Sequence, residues 1–119
     1  METKIVIKQS LLKRVSSERE MAEKYYSVLS AINNLGLTKS EIQLVAFTAI
    51  KGNITYANVR KEFCDVYNTT SPTINNIVSK LKKQKIFLKK GKIIYINPMI
   101  SLDFKKEVTL EINLQHEAS

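Results

Sequence analysis

The sequence predicts an α+β domain in which four helices precede a β-hairpin, with extra strands at the two ends. Three observations predict it. Apolar residues recur at helical spacing in four successive segments between positions 17 and 85. Two short β-rich runs, Ile86-Phe87-Leu88 and Ile93-Ile94-Tyr95-Ile96, flank the tight turn Lys89-Lys90-Gly91-Lys92. Finally, the 119 residues are 44% hydrophobic and 25% charged, with three glycines and two prolines. That is enough apolar material for one core without a metal or disulfide, and too few turn residues for a disordered chain or a loop-rich β sandwich.

Each element has its own warrant. Residues 3–8, Thr-Lys-Ile-Val-Ile-Lys, are β-rich and predict a short strand, whereas residues 10–15 are ambiguous. Ser17 followed by Glu20 is a capping-box pattern, and Met21, Tyr25, Val28, Leu29 and Ile32 continue it as a helix that Gly36 should stop. Thr38 and Glu41 form a second capping box, ahead of the stripe Ile42, Val45, Ala46, Ala49 and Ile50, with Gly52 as the stop. Ile54 stands isolated and suits a short strand. A third helix starts at Thr55 or Tyr56 and carries Val59, Phe63 and Val66 on one face. The polar run Tyr67-Asn68-Thr69-Thr70 then reads as a turn.

Ser71-Pro72 opens the fourth helix. Ser71 is a good N-cap, and proline suits the first helical position because its missing N–H had no partner there anyway. Ile74, Ile77, Val78 and Leu81 form the inward stripe, and the helix fades at Gln84-Lys85. Asn97-Pro98 stops the second hairpin strand. Residues 108–114 alternate at period two and predict a half-buried strand. The chain thus divides into residues 1–36, a strand and helix for packing or dimerisation, a core of 37–100, and a strand and tail of 101–119.

The net charge is +8, and its distribution matters more than its size. No Asp or Glu occurs between Val66 and Leu102, yet that stretch holds Lys80, Lys82, Lys83, Lys85, Lys89, Lys90 and Lys92. The rest of the chain balances twelve basic residues against eleven acidic ones. Solvated surfaces usually mix both signs, so an acid-free third implies a surface facing a polyanion. The plainer alternative is chance clustering of lysine. One cysteine, Cys64, leaves no internal disulfide or cysteine-based zinc site and reads as a small core residue. His116 lies in a polar tail and reads as solvated. No apolar run is long enough for a membrane span and no signal-peptide core opens the chain, so a cytoplasmic protein is expected.

The fourth helix supplies the candidate site. With its apolar stripe inward, the opposite face holds Pro72, Asn76, Ser79 and Lys83, with Lys80 beside them. Asn75 and Lys82 lie on one flank, Thr73 and Gln84 on the other. Short polar side chains fill the N-terminal half and lysines the C-terminal half. A major groove accepts one helix, whose N-terminal residues commonly meet base edges. The DNA-binding set is therefore Ser71, Thr73, Asn75, Asn76, Ser79, Lys80 and Lys83, joined by Lys89, Lys90 and Lys92 at the hairpin. Asparagine can pair with adenine through two hydrogen bonds, and lysines meet phosphates as point charges. The hairpin lysines also suit protection of exposed strand edges. This helix contains no arginine, so reading guanine with a forked guanidinium from it is excluded.

Residues 37–100 resemble a winged helix-turn-helix domain of the type found in MarR-like regulators and in RepL-like plasmid or phage replication proteins. The resemblance rests on Leu37-Thr38-Lys39-Ser40-Glu41, on the eleven residues from Ser71 to Leu81, on Lys85-Ile86-Phe87 and on Ile94-Tyr95-Ile96-Asn97-Pro98. It implies binding of double-stranded DNA by the fourth helix and the hairpin, often as a dimer, in a bacterial cell or phage-infected host. The expected function is then a sequence-specific transcriptional regulator or replication-associated factor. The alternative is a winged-helix interaction or assembly module of a phage or replication complex, which unexplained terminal strands would favour. A homodimer is expected to form through the N-terminal helix or terminal strands. For Met21, Tyr25 and Tyr26, core packing is the plainer role. No Gly-rich phosphate loop and no nucleophile–base pair is present, and Glu18, Glu20 and Glu23 are explained by capping and exposure. Neither catalysis nor a cofactor or metal is expected.

Overall fold

The computed structural model describes residues 17–111. They form an α+β domain of four helices and one antiparallel hairpin: α1 (Glu18–Ile32), α2 (Lys39–Lys51), α3 (Ala57–Tyr67), α4 (Ser71–Lys83), β1 (Phe87–Lys90) and β2 (Ile93–Ile96), followed by a 3-10 turn (Pro98–Ile100). The expected strand at residues 3–8, the ambiguous segment 10–15 and His116 lie outside the described residues.

Local chemistry sets most of the boundaries. The Ser17 hydroxyl accepts from the Glu20 amide and starts α1. At α2 both halves of the capping box close: the Glu41 amide donates to Thr38 Oγ1 at 3.2 Å and the Thr38 amide donates to Glu41 Oε1 at 2.8 Å. Gly52, at φ +90°, ends α2 where expected. α1, however, stops before Gly36. Asn34 adopts φ +53°, and the Leu35 amide turns back to the Ser30 carbonyl at 3.0 Å, so asparagine supplies the left-handed stop. The N-cap of α4 is Thr70 and not Ser71, which places Pro72 in the second helical position. α4 ends at Gln84 as expected, with Lys85 at φ +62° and the Ile86 amide returning to the Leu81 carbonyl.

α2 is the hub. Its stretch Leu44, Val45, Ala46, Phe47 and Thr48 is buried on every side, beyond the single stripe that its periodicity predicts. α1 packs along α2, α3 and β2 also touch it, and α4 lies against α3 and β1. Ala22 and Tyr26 of α1, Phe63 of α3, Ile74, Val78 and Leu81 of α4, and Ile86, Phe87, Ile94 and Ile96 of the hairpin share one core. Cys64 is half-buried against it. Val66 is not part of it: at 46% exposure it points to solvent, and Tyr67 takes the inward role. The Tyr67 hydroxyl donates to Glu23 at 2.9 Å, tying α3 to α1; burial, then this carboxylate, pushes its pKa up to about 12. Ile54 forms no strand, but its amide donates to the Ile94 carbonyl at 3.0 Å, and the Ile94 amide donates to Thr55 Oγ1 at 2.7 Å. The loop between α2 and α3 is thereby fastened to β2.

Past the hairpin, the chain returns to α1. Tyr26 donates to the Ile100 carbonyl at 2.7 Å, and Phe104 packs against Tyr25 and Tyr26. Met21, Tyr25 and Tyr26 thus face the core. The strand expected from 108 onward is absent in its described part: residues 108–111 alternate in polarity, but no strand pairs with them. Period-two patterning makes a strand only where a partner is available to complete the ladder.

Candidate nucleic-acid interface

Every candidate residue on α4 is exposed, and the fold sorts them into two groups. On one flank, Lys80 Nζ lies 2.8 Å and 3.0 Å from the two oxygens of Glu41, reaching across to the start of α2. On the other, Arg60 of α3 donates through Nη1 to Asn75 Oδ1 and through Nε to the Ile54 carbonyl at 3.0 Å. At the N-terminal end, Thr73 Oγ1 shares a 3.1 Å hydrogen bond with Thr70 Oγ1, next to Ser71. Between these ties lie Asn76, Ser79 and Lys83, which make no side-chain hydrogen bond or ion pair with any described residue. Helical geometry puts all three on the side opposite Ile74, Val78 and Leu81.

Glu41 is the acid that matters here. Its side chain is only 6% exposed. Burial by itself raises a carboxyl pKa, but the hydrogen bonds from Lys80 and Thr38, with the positive charge of Lys80, outweigh it and hold the group below its ordinary value. Glu41 therefore stays ionised and takes up the charge of Lys80. The sequence assigns Glu41 only a capping role. Its second role depends on a partner 39 residues away, and no local pattern signals it.

The hairpin arranges its lysines differently from the expected loop tip. Lys90 pairs with Ile93, so the turn is only Gly91-Lys92. Gly91 has φ +61° at the first turn position, and the other turn residue does not share that sign, as a type II′ turn requires. Lys89 and Lys90 therefore belong to β1, and successive strand residues project to opposite faces. Lys89 stands opposite buried Ile94, on the side that carries Phe87 and Ile96 into the core, and Lys90 stands on the other side. Lys92 remains at the tip. All three are exposed, but they are spread over both faces of the ribbon and do not form one cluster.

Arg60 was not among the expected contacts. It is half-buried, and no carboxylate lies within ion-pair distance among the described residues. No helix of the described residues is long and apolar enough to cross a membrane, and none of their His, Cys, Asp and Glu side chains cluster as a metal site would need. No protein-family model matches the chain, and neither does any curated protein or solved structure.

Proposed function

We propose that this protein binds double-stranded DNA sequence-specifically, as a winged helix-turn-helix, and acts as a transcriptional regulator or replication-associated factor without catalysis. One observation carries the reading. The outward face of α4 presents Asn76, Ser79 and Lys83 with no side-chain partner among the described residues, next to a lysine-bearing hairpin, in a stretch that supplies no carboxylate of its own. Asn76 and Ser79 suit base edges in a major groove, and Lys83, further along, suits a phosphate. The order of α3, turn, α4 and hairpin is compatible with the resemblance of residues 37–100.

Lys83→Ala is expected to weaken binding to every duplex alike and to flatten the slope of log affinity against log salt by about 0.9. Asn76→Ala is expected to leave that slope unchanged and to reduce discrimination at one base pair by about 1–3 kcal/mol. Titrations of a selected and a random duplex over a salt series read both. Recovery of a common sequence from a random duplex pool is the decisive test, and an inverted repeat among the winners would mark a dimer. A pool with no enrichment, together with no binding at low salt, would reject the proposal.

A further inference from the structure

We infer that Arg60, delivered from α3, is a phosphate contact of the DNA-binding surface, and that Asn75 works with it on the backbone and does not read a base. The inference rests on the DNA-binding reading above and deepens it by adding a residue from outside α4. In a helix-turn-helix the helix before the reading helix crosses the phosphate backbone, and α3 occupies that place.

The Arg60 guanidinium is fixed, not free to swing. Its Nε is held by the Ile54 carbonyl at 3.0 Å, and Nη1 is held by Asn75 Oδ1. These acceptors are neutral, and no described carboxylate balances the charge. Lys80 and Lys51 differ in this respect, since each has a carboxylate at 2.8 Å. No described residue accepts from Nη2, so both of its N–H groups remain for an outside acceptor. A half-buried, preorganised guanidinium without a counter-ion among the described residues is suited to a phosphate oxygen, because little side-chain freedom is lost on binding.

The same bond changes what Asn75 offers. Pairing with adenine uses the amide oxygen to accept from the base and the amide nitrogen to donate to it. With Oδ1 engaged by Arg60, what Asn75 has left to offer is chiefly its NH2 donors, which suit phosphate oxygens. Asn76, without such a tie, keeps both functions. The adjacent asparagines thus divide the work: Asn76 faces bases and Asn75, with Arg60, faces the backbone.

The test compares wild type with Arg60→Gln, Arg60→Lys and Asn75→Ala on a selected duplex and on random duplex across a salt series, with thermal midpoints to confirm folding. Arg60→Gln should bind both duplexes about tenfold more weakly and flatten the salt slope by about 0.9, with base preference unchanged. Arg60→Lys keeps the charge and should restore the slope. Asn75→Ala should weaken both duplexes alike and relax no base position. A wild-type slope in folded Arg60→Gln, or lost base preference in either Arg60→Gln or Asn75→Ala, overturns the inference while leaving DNA binding by α4 intact. Failure of wild type to bind any duplex removes both.

Discussion

Tyr26→Ala is expected to lower the unfolding free energy by about 3–5 kcal/mol, the range for deleting a buried aromatic side chain. Tyr26 is 1% exposed and stacks edge-on with Phe104 and Tyr25, at centroid distances of 5.6 Å and 5.0 Å. Its hydroxyl donates to the Ile100 carbonyl at 2.7 Å, so the ring joins α1 to the segment that follows the hairpin. Burial raises the hydroxyl pKa above its ordinary value, and neighbouring Tyr25 raises it further, which keeps the proton that makes this bond. Tyr26→Phe separates the two contributions: the ring remains, the donor goes, and the expected loss is about 1 kcal/mol. Urea denaturation of the three proteins measures both values. Equal losses for Phe and Ala would put the stabilisation in the hydroxyl and contradict the packing account.

Glu41→Ala comes second, at about 2–3 kcal/mol, because it removes the acceptor of the Thr38 amide, one half of the capping box of α2, and leaves Lys80 without its partner. Glutamine retains the shape and the capping function but not the charge, so Glu41→Gln should cost about 1 kcal/mol. The ionised form of Glu41 is favoured in the folded state, which gives the pH dependence a definite sign. Its stabilisation is complete above the ordinary carboxyl value of 4.5 and is lost as pH falls through the lower folded value. The gap between wild type and Glu41→Gln should be constant at neutral pH and should close in acid. A gap that persisted unchanged into strong acid would show that the charge contributes nothing.

What was legible in the sequence is what local chemistry decides. Ser17, the Thr38–Glu41 box, Gly52, the stripe of α4 and the hairpin can each be read within a few residues, and each forms. The departures have equally physical causes. Asn34 tolerates the left-handed region better than other residues with a side chain, so α1 ends before Gly36. Thr70 keeps the extended backbone of an N-cap, without a side-chain cap bond, while Ser71 is already helical. Gly91 is the residue best suited to positive φ, and seating it at the first turn position draws Lys89 and Lys90 into β1. The all-round burial of α2 was hidden because it depends on how many neighbours surround the helix. For the candidate site, the outward face of α4 followed from helical spacing. Lys80 and Asn75 lay on its edge, and their ties to Glu41 and Arg60 join positions 39 and 15 residues apart, which no periodicity reports.

That Asn76, Ser79 and Lys83 bond to no other described side chain has a practical corollary. Exchanges at these positions for residues other than glycine and proline should each move stability by no more than about 0.5 kcal/mol, since no described side chain bonds to them. The scaffold and the outward face of α4 are thus separable: a library varied at the three sites with glycine and proline left out should fold nearly uniformly while differing in the surface that it presents.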